Sequence, residues 1–237
     1  MALHLKWSEN RARRIRRHAG IHIERPTKRK RLGTSAPAEI AAADNALSVY
    51  AKFKDEERPQ DGMDYSAMVN AGAWVQDFTY LWFERKWHYL AVVMDLRTRR
   101  VIGWSFGLRH SSELTLAALM DALSKEHPPN ILHSDQGSEY LSQKHQEVCA
   151  RLGIILSCSK RASPWQNAFM ERFFGSFKIE LGHLGEYSDL AHLLEAIALA
   201  IHYYNTKRIH TALGMPPALY AAQIIEGLDN VSEKMGA

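Results

Sequence analysis

The chain has 237 residues, of which 46% are hydrophobic and 24% charged, and a formal net charge of +4. That balance suits one large domain with an extension and excludes collagen-like, disordered and coiled-coil chains for the bulk of the sequence. No window reaches the roughly 18 uninterrupted apolar residues of a membrane span, the N-terminus lacks the apolar core of a secretion signal, and two cysteines, Cys149 and Cys158, cannot build a disulfide framework, so a reducing cytosol is expected.

Positive charge is concentrated at the start. Within residues 1–32 eleven Lys and Arg, among them Arg13, Arg14, Arg16 and Arg17, stand against Glu9 and Glu24, which leaves the rest of the chain mildly acidic. Such a leader is either a polyanion contact, most simply to nucleic acid phosphate, or a solvated basic helix and tail. Residues 33–70, rich in Ala, Ser, Pro and Asp, read as a linker with one short helix at 38–50. A compact domain is expected over 71–220, with a C-terminal tail at 221–237.

Three apolar runs open that domain, at 73–82, 87–96 and 100–108. They are rich in aromatic and β-branched residues and are separated by the polar turns Glu84-Arg85-Lys86 and Arg97-Thr98-Arg99, a pattern that predicts an antiparallel meander. Leu114, Ala117, Ala118 and Leu119 predict a helix that stops before Pro128-Pro129. A short buried strand at 130–133, a helix at 138–152 ending at Gly153 and a second short strand at 154–157 follow. Ser163, Pro164 and Gln166 have the form of a capping box opening another helix. Leu190, Leu193, Leu194, Ile197, Ile201 and Tyr204 form the apolar stripe of a long helix starting at Ser188. The order βββαβαβαα predicts an α/β fold, a mixed sheet with helices packed on its faces. Trp and Phe residues at these strand and helix periods read as core rather than as base-stacking platforms.

Three carboxylates occupy distinct contexts. Asp77 falls inside the first strand, on the face shared by Val75, Thr79 and Leu81, where a carboxylate carries a desolvation cost unless a cation or metal offsets it. Asp135 follows directly on the fourth strand, at a carboxyl end of the kind where sites gather in sheet-and-helix folds. Glu171 sits beside the apolar stripe Met170, Phe173, Phe174, Phe177 and Leu181 of the capped helix, with Lys178 two turns above it. Singly, each has a plainer reading: a strand aspartate bonding backbone amides, a turn aspartate, a solvated helix glutamate. Asp95, Glu139 and Glu180 are spare acids.

Together they form a pattern. Asp77 and Asp135 are separated by 57 residues, and Asp135 and Glu171 by 35. With Trp74-Val75-Gln76-Asp77-Phe78-Thr79-Tyr80, Tyr89-Leu90-Ala91-Val92-Val93-Met94-Asp95, Val101-Ile102-Gly103-Trp104, His133-Ser134-Asp135-Gln136-Gly137-Ser138-Glu139-Tyr140, Asn167-Ala168 and Tyr204-Asn205, the chain resembles the DDE catalytic core of insertion-sequence transposases in the retroviral integrase superfamily. The match is to those encoded by two overlapping reading frames, of which this would be the second product, and it covers about residues 70–220.

The resemblance implies a ribonuclease-H-like fold, with three antiparallel strands, two parallel additions and helices on both faces. It implies cleavage at mobile-element ends and strand transfer into target DNA. Catalytic Asp77, Asp135 and Glu171 would hold two Mg²⁺ ions, with Mn²⁺ able to substitute. Lys178, Arg208 and His210 would contact DNA, although a structural role for the last two is as well supported by the residues alone. The basic segment with Arg13, Arg14, Arg16 and Arg17 resembles the tail of an upstream DNA-binding region. DNA ends and target, a homo-oligomer on DNA and the product of an upstream reading frame are the implied partners, with no membrane and a bacterial cytosolic location. Gln166 stands where the family usually has Asp, and Met1 falls near the end of the upstream helix-turn-helix region. A truncated, non-catalytic DNA-binding remnant and a hydrolysis-only nuclease are the alternatives.

Overall fold

The three apolar runs form the expected meander: β1 (Ala73–Phe83), β2 (Lys86–Asp95) and β3 (Val101–Gly107) are antiparallel neighbours. Glu84 and Arg85 make a two-residue hairpin turn with φ of 48° and 61°, the left-handed positions that a tight hairpin requires and that glycine or asparagine ordinarily fills. Asp95 organises the second turn, its carboxylate accepting from the backbone N–H groups of Arg97 and Thr98 at 3.1 and 3.2 Å.

α1 (Ser112–Leu123), β4 (Ile131–Ser134), α2 (Gln143–Arg151), β5 (Ile155–Cys158), α3 (Ala168–Leu181), α4 (Leu190–Thr206) and α5 (Pro217–Met235) complete the domain. The sheet order is β3-β2-β1-β4-β5, with β4 parallel to β1 and β5 parallel to β4. This computed structural model describes residues 45–49, 52–53, 63–64, 72–159 and 168–235, all within the unit Pro37–Ala237. The basic leader with Arg13, Arg14, Arg16 and Arg17 lies outside the described residues, as do most of the expected linker and the capping-box residues Ser163, Pro164 and Gln166.

Both sheet faces are covered. On one, α3 and α4 bring Met170, Phe173, Phe177, Leu193, Ile197 and Tyr204 against Val75, Leu90, Val92 and Met94. On the other, α1 and α2 bring Leu114, Ala118, Leu119 and Cys149 against Trp74, Ala91, Val93 and Leu132. α1 lies so close to β3 that a Cβ on Gly103 would strike the helix at Ala118 and Ala122. Each face thus buries a continuous apolar layer, the main favourable term holding the sheet rigid.

Three details depart from the sequence reading. α2 starts at Gln143 rather than at 138: Ser142 caps it, with its hydroxyl accepting from His145 N–H at 3.4 Å, because the preceding turn carries Tyr140 and Leu141 into the interior. Within the expected linker, Leu47 of the short 3₁₀ turn Ala46–Val49 is buried in the first core, with its N–H 3.4 Å from the Ser157 hydroxyl. Trp82 and Trp87, taken as core from their strand period, are 50% and 49% exposed. They lie past Phe78 and Tyr89, where the packed cluster on that face ends, and alternation alone says nothing about how far the covering helices reach.

Candidate active site

The pairing of β1 with β4 positions the first two carboxylates. Its register matches Val75 with His133. Continued by two residues, it brings Asp77 level with Asp135, immediately past the end of β4. Adjacent strands lie about 4.8 Å apart, so this continued register would set the two residues side by side where β4 ends. Asp77 is half-buried opposite Val92, and its Oδ1 accepts from the N–H of Phe78 at 2.8 Å. Asp135 is exposed, and its Oδ1 accepts from the N–H of Gly137 at 3.0 Å, closing a short turn. A Cβ on Gly137 would collide with the carboxylate of Glu139, so the residue type here is set by close approach.

Tyr140 records the convergence. It is fully buried, and its phenol is pushed well above its ordinary pKa, first by burial and then by the negative charges of Asp77, Asp135 and Glu139. Among the described residues its hydroxyl has no hydrogen-bond partner. Glu139, a spare acid in the sequence, is buried and ion-paired to His110 Nε2 at 2.9 Å. The His110 ring lies 4.0 Å from that of Phe78 and stacks on Tyr89 at 5.7 Å. Sequence reasoning missed Tyr140 and His110 because their roles depend on burial and on a contact across 29 residues. The signal available was that Glu139-Tyr140 closes the same stretch that contains Asp135.

Glu171 is in the first turn of α3, exposed beside the buried stripe Met170, Phe173, Phe174, Phe177 and Leu181. That stripe docks α3 on the sheet face to which Asp77 belongs. Among the described residues, no three His, Cys, Asp or Glu side chains stand close enough, as placed, to hold a metal ion. Glu171 lies outside the packed stripe.

Lys178 is exposed two turns further along α3. Arg208 straps the end of α4 to α3, donating to Glu180 Oε1 at 2.7 Å and to the Ser176 hydroxyl at 3.1 Å. His210 is half-buried, and its pKa is lowered to about 4 by burial and by the charges of Arg99, Arg172 and Arg208. Its Nδ1 is buried with no hydrogen-bond partner. Arg99 in turn lies over the Phe169 ring at 3.9 Å. Burial first, and then the charges of Arg99, Arg172 and Arg208, thus favour the neutral form of this imidazole. His133, two residues before Asp135 in sequence, is held between the hydroxyls of Ser157 and Ser159 at 2.8 and 2.9 Å, an interstrand role.

Residues 70–164 and 152–217 match two models described as integrase core domain, which together cover more than half of the chain. The chain is 36% identical over 152 residues to the transposase for insertion sequence element IS904 of Lactococcus lactis, covering 63% of this chain and 60% of that one. It is 37% identical over 157 residues to the transposase InsF for insertion sequence IS3A of Escherichia coli, covering 64% and 54%. The chain thus spans little more than half the length of the curated relatives it matches. The HTLV-2 integrase catalytic core domain, solved in complex with magnesium in a trimeric form, superposes with a TM-score of 0.54 at 24% identity, covering 63% of this chain and 95% of that one. The fold is therefore the ribonuclease-H-like fold of integrase catalytic cores. Within that class the chain belongs to the integrase-core superfamily, among the DDE transposases of insertion sequences.

Proposed function

We propose that the chain is the catalytic core of a DNA transposase that cuts at the ends of a mobile element and joins the freed 3′-hydroxyl to target DNA. The register of β1 on β4 supports this reading: it pairs Val75 with His133 and, continued by two residues, would set Asp77 level with Asp135 on the sheet that α3 covers. All three candidates are hard oxygen donors, the chemistry that Mg²⁺ or Mn²⁺ takes, and they fit such a group. Two divalent ions held by Asp77, Asp135 and Glu171 would activate the attacking oxygen and stabilise the leaving one in each phosphodiester step.

The chain's own residues supply position and charge. Asp77 and Asp135 are fixed by strand backbone and by their hydrogen bonds to Phe78 and Gly137, while Glu171 turns in from the helix surface. Lys178 and His210 would meet the DNA backbone, joined by the part of Arg208 not engaged with Glu180 and Ser176, and Arg13, Arg14, Arg16 and Arg17 would hold DNA upstream. A homo-oligomer assembled on DNA, the product of an upstream reading frame as a further partner, and the bacterial cytosol complete the proposal. Among the described residues no helix is long and apolar enough to cross a membrane.

Incubation with pre-cut element ends and plasmid tests it. Joined product supports transposition. Nicking without joining replaces the proposal with a hydrolysis-only nuclease, and neither product leaves a non-catalytic DNA-binding chain. Asp77→Asn should lower joining by ~10³-fold or more while DNA affinity stays within about twofold. Parallel loss of both would make Asp77 a structural residue.

A further inference from the structure

The tip of the β1–β2 hairpin carries aromatic side chains that extend beyond the packed cluster, which ends at Tyr89. Cross-strand register pairs Trp82 with Trp87 and Tyr80 with Tyr89, so all four project from the same face. Their ring centroids are 4.9 Å apart for Trp82–Trp87, 6.1 Å for Tyr80–Trp87 and 5.4 Å for Tyr80–Tyr89. The opposite face of the tip is buried through Leu81, Phe83 and His88, so the ribbon is held firmly on one side and open on the other. Tyr80, Trp87 and Trp82 are 38%, 49% and 50% exposed.

The ribbon does not end in isolation. Tyr80 meets Phe78 at 5.4 Å, and Phe78 lies 6.4 Å from Tyr140, the buried residue beside Asp77 and Asp135. A continuous aromatic row thus runs from Tyr140 to the hairpin tip, on the sheet face opposite to that of Val75, Asp77 and Leu81. Rings on a rigid sheet face, with basic groups at the margin, are the arrangement by which proteins hold unpaired bases: every base offers a π-face, and the cations take the phosphates. Here the margin is Arg85 at the turn and Arg109 after β3, both exposed, against Glu84. A second copy of the chain packed on the same ribbon would bring these cations near one another, whereas a phosphodiester strand neutralises them.

We infer that the aromatic ribbon Tyr80–Trp82–Trp87–Tyr89 is a stacking platform for unpaired bases of single-stranded DNA. The inference deepens the transposase reading and rests on it for DNA as the ligand. Binding itself is read separately from chemistry.

The test measures the full chain in the absence of divalent cation, by anisotropy, on a labelled single strand of about ten nucleotides and on a blunt duplex of the same sequence. Base stacking is worth about 1–3 kcal/mol per base, so Trp82→Ala/Trp87→Ala should weaken single-strand binding by roughly 30-fold or more and duplex binding little. Trp82→Phe/Trp87→Phe, which keeps the rings, should stay within about threefold, and Asp77→Asn should bind the single strand normally. Should the alanine pair fail to fold, quenching of tryptophan emission by the single strand in the unaltered chain decides, and absence of quenching overturns the inference. Equal loss on both DNAs, or no loss on either, also overturns it. So does an alanine pair that dissociates an oligomer yet binds the single strand as before, which assigns the face to a second copy. Joining activity can fail while this binding stands, or the reverse, so the two readings are separable.

Discussion

His145 is fully buried on α2, with its Nε2 3.0 Å from the side-chain nitrogen of Gln76. The amide donates, so Nε2 accepts and the ring proton sits on Nδ1, which has no partner. Adding a second proton would place a cation in a buried site whose neighbour at Nε2 is itself a donor, and burial accordingly lowers the pKa to about 4. In the unfolded chain the ring titrates near its ordinary 6.5. Its folded pKa being the lower one, the neutral form is what folding favours. Stability is therefore full above about pH 6.5, falls as the pH drops towards 4, and levels off below that. His145 alone accounts for roughly 2 kcal/mol of loss between pH 7 and pH 5, with His210 adding a smaller part in the same window because it is less buried. Urea midpoints at the two pH values measure the loss, and His145→Gln should shrink it by more than half. An unchanged difference would mean that other groups govern the acid limb.

Among the elements, α4 is hydrogen-bonded to the sheet through Asn205, beside its apolar packing. Asn205, at its last turn, accepts from the Val101 N–H at 2.9 Å and donates to the Val101 carbonyl at 2.8 Å, completing the backbone pairing where β3 begins. Asn205→Ala leaves both half-buried backbone groups unmatched, at an expected cost of about 2–3 kcal/mol by urea denaturation. Faster amide exchange at Val101 should accompany it, and a loss under about 0.5 kcal/mol would show that water replaces the amide without penalty. Such a link lies beyond sequence reading, since nothing local ties Asn205 to a residue 104 positions earlier. The strands themselves were legible, because alternation in 73–83 and 86–95 faces two apolar layers and the turns between them are short. The start of α2 was not, because Ser138 and Ser142 are both good caps, and burial of Tyr140 and Leu141 decides between them.

At the scale of the molecule, the order and spacing of Asp77, Asp135 and Glu171 were legible, and so was a five-stranded mixed sheet that could align the first two. The sequence could not reveal which cations are engaged within the fold, because that depends on α4 reaching across α3. Lys178 and Arg208 have equal formal charge and divergent environments: Lys178 is exposed on the helix surface, while Arg208 bridges to Glu180 and Ser176. If Lys178 meets a DNA phosphate, Lys178→Ala should reduce the slope of log affinity against log salt by about 1 and leave stability within about 0.5 kcal/mol. Arg208→Ala should instead lower stability by about 1 kcal/mol, an exposed ion pair contributing little and the added hydrogen bond the rest, and should change the slope by less than Lys178→Ala does. Affinity titrations at several salt concentrations, paired with urea midpoints for both variants, separate the two roles. A larger change of slope for Arg208→Ala, with stability intact, would move the DNA path from the surface of α3 to the end of α4.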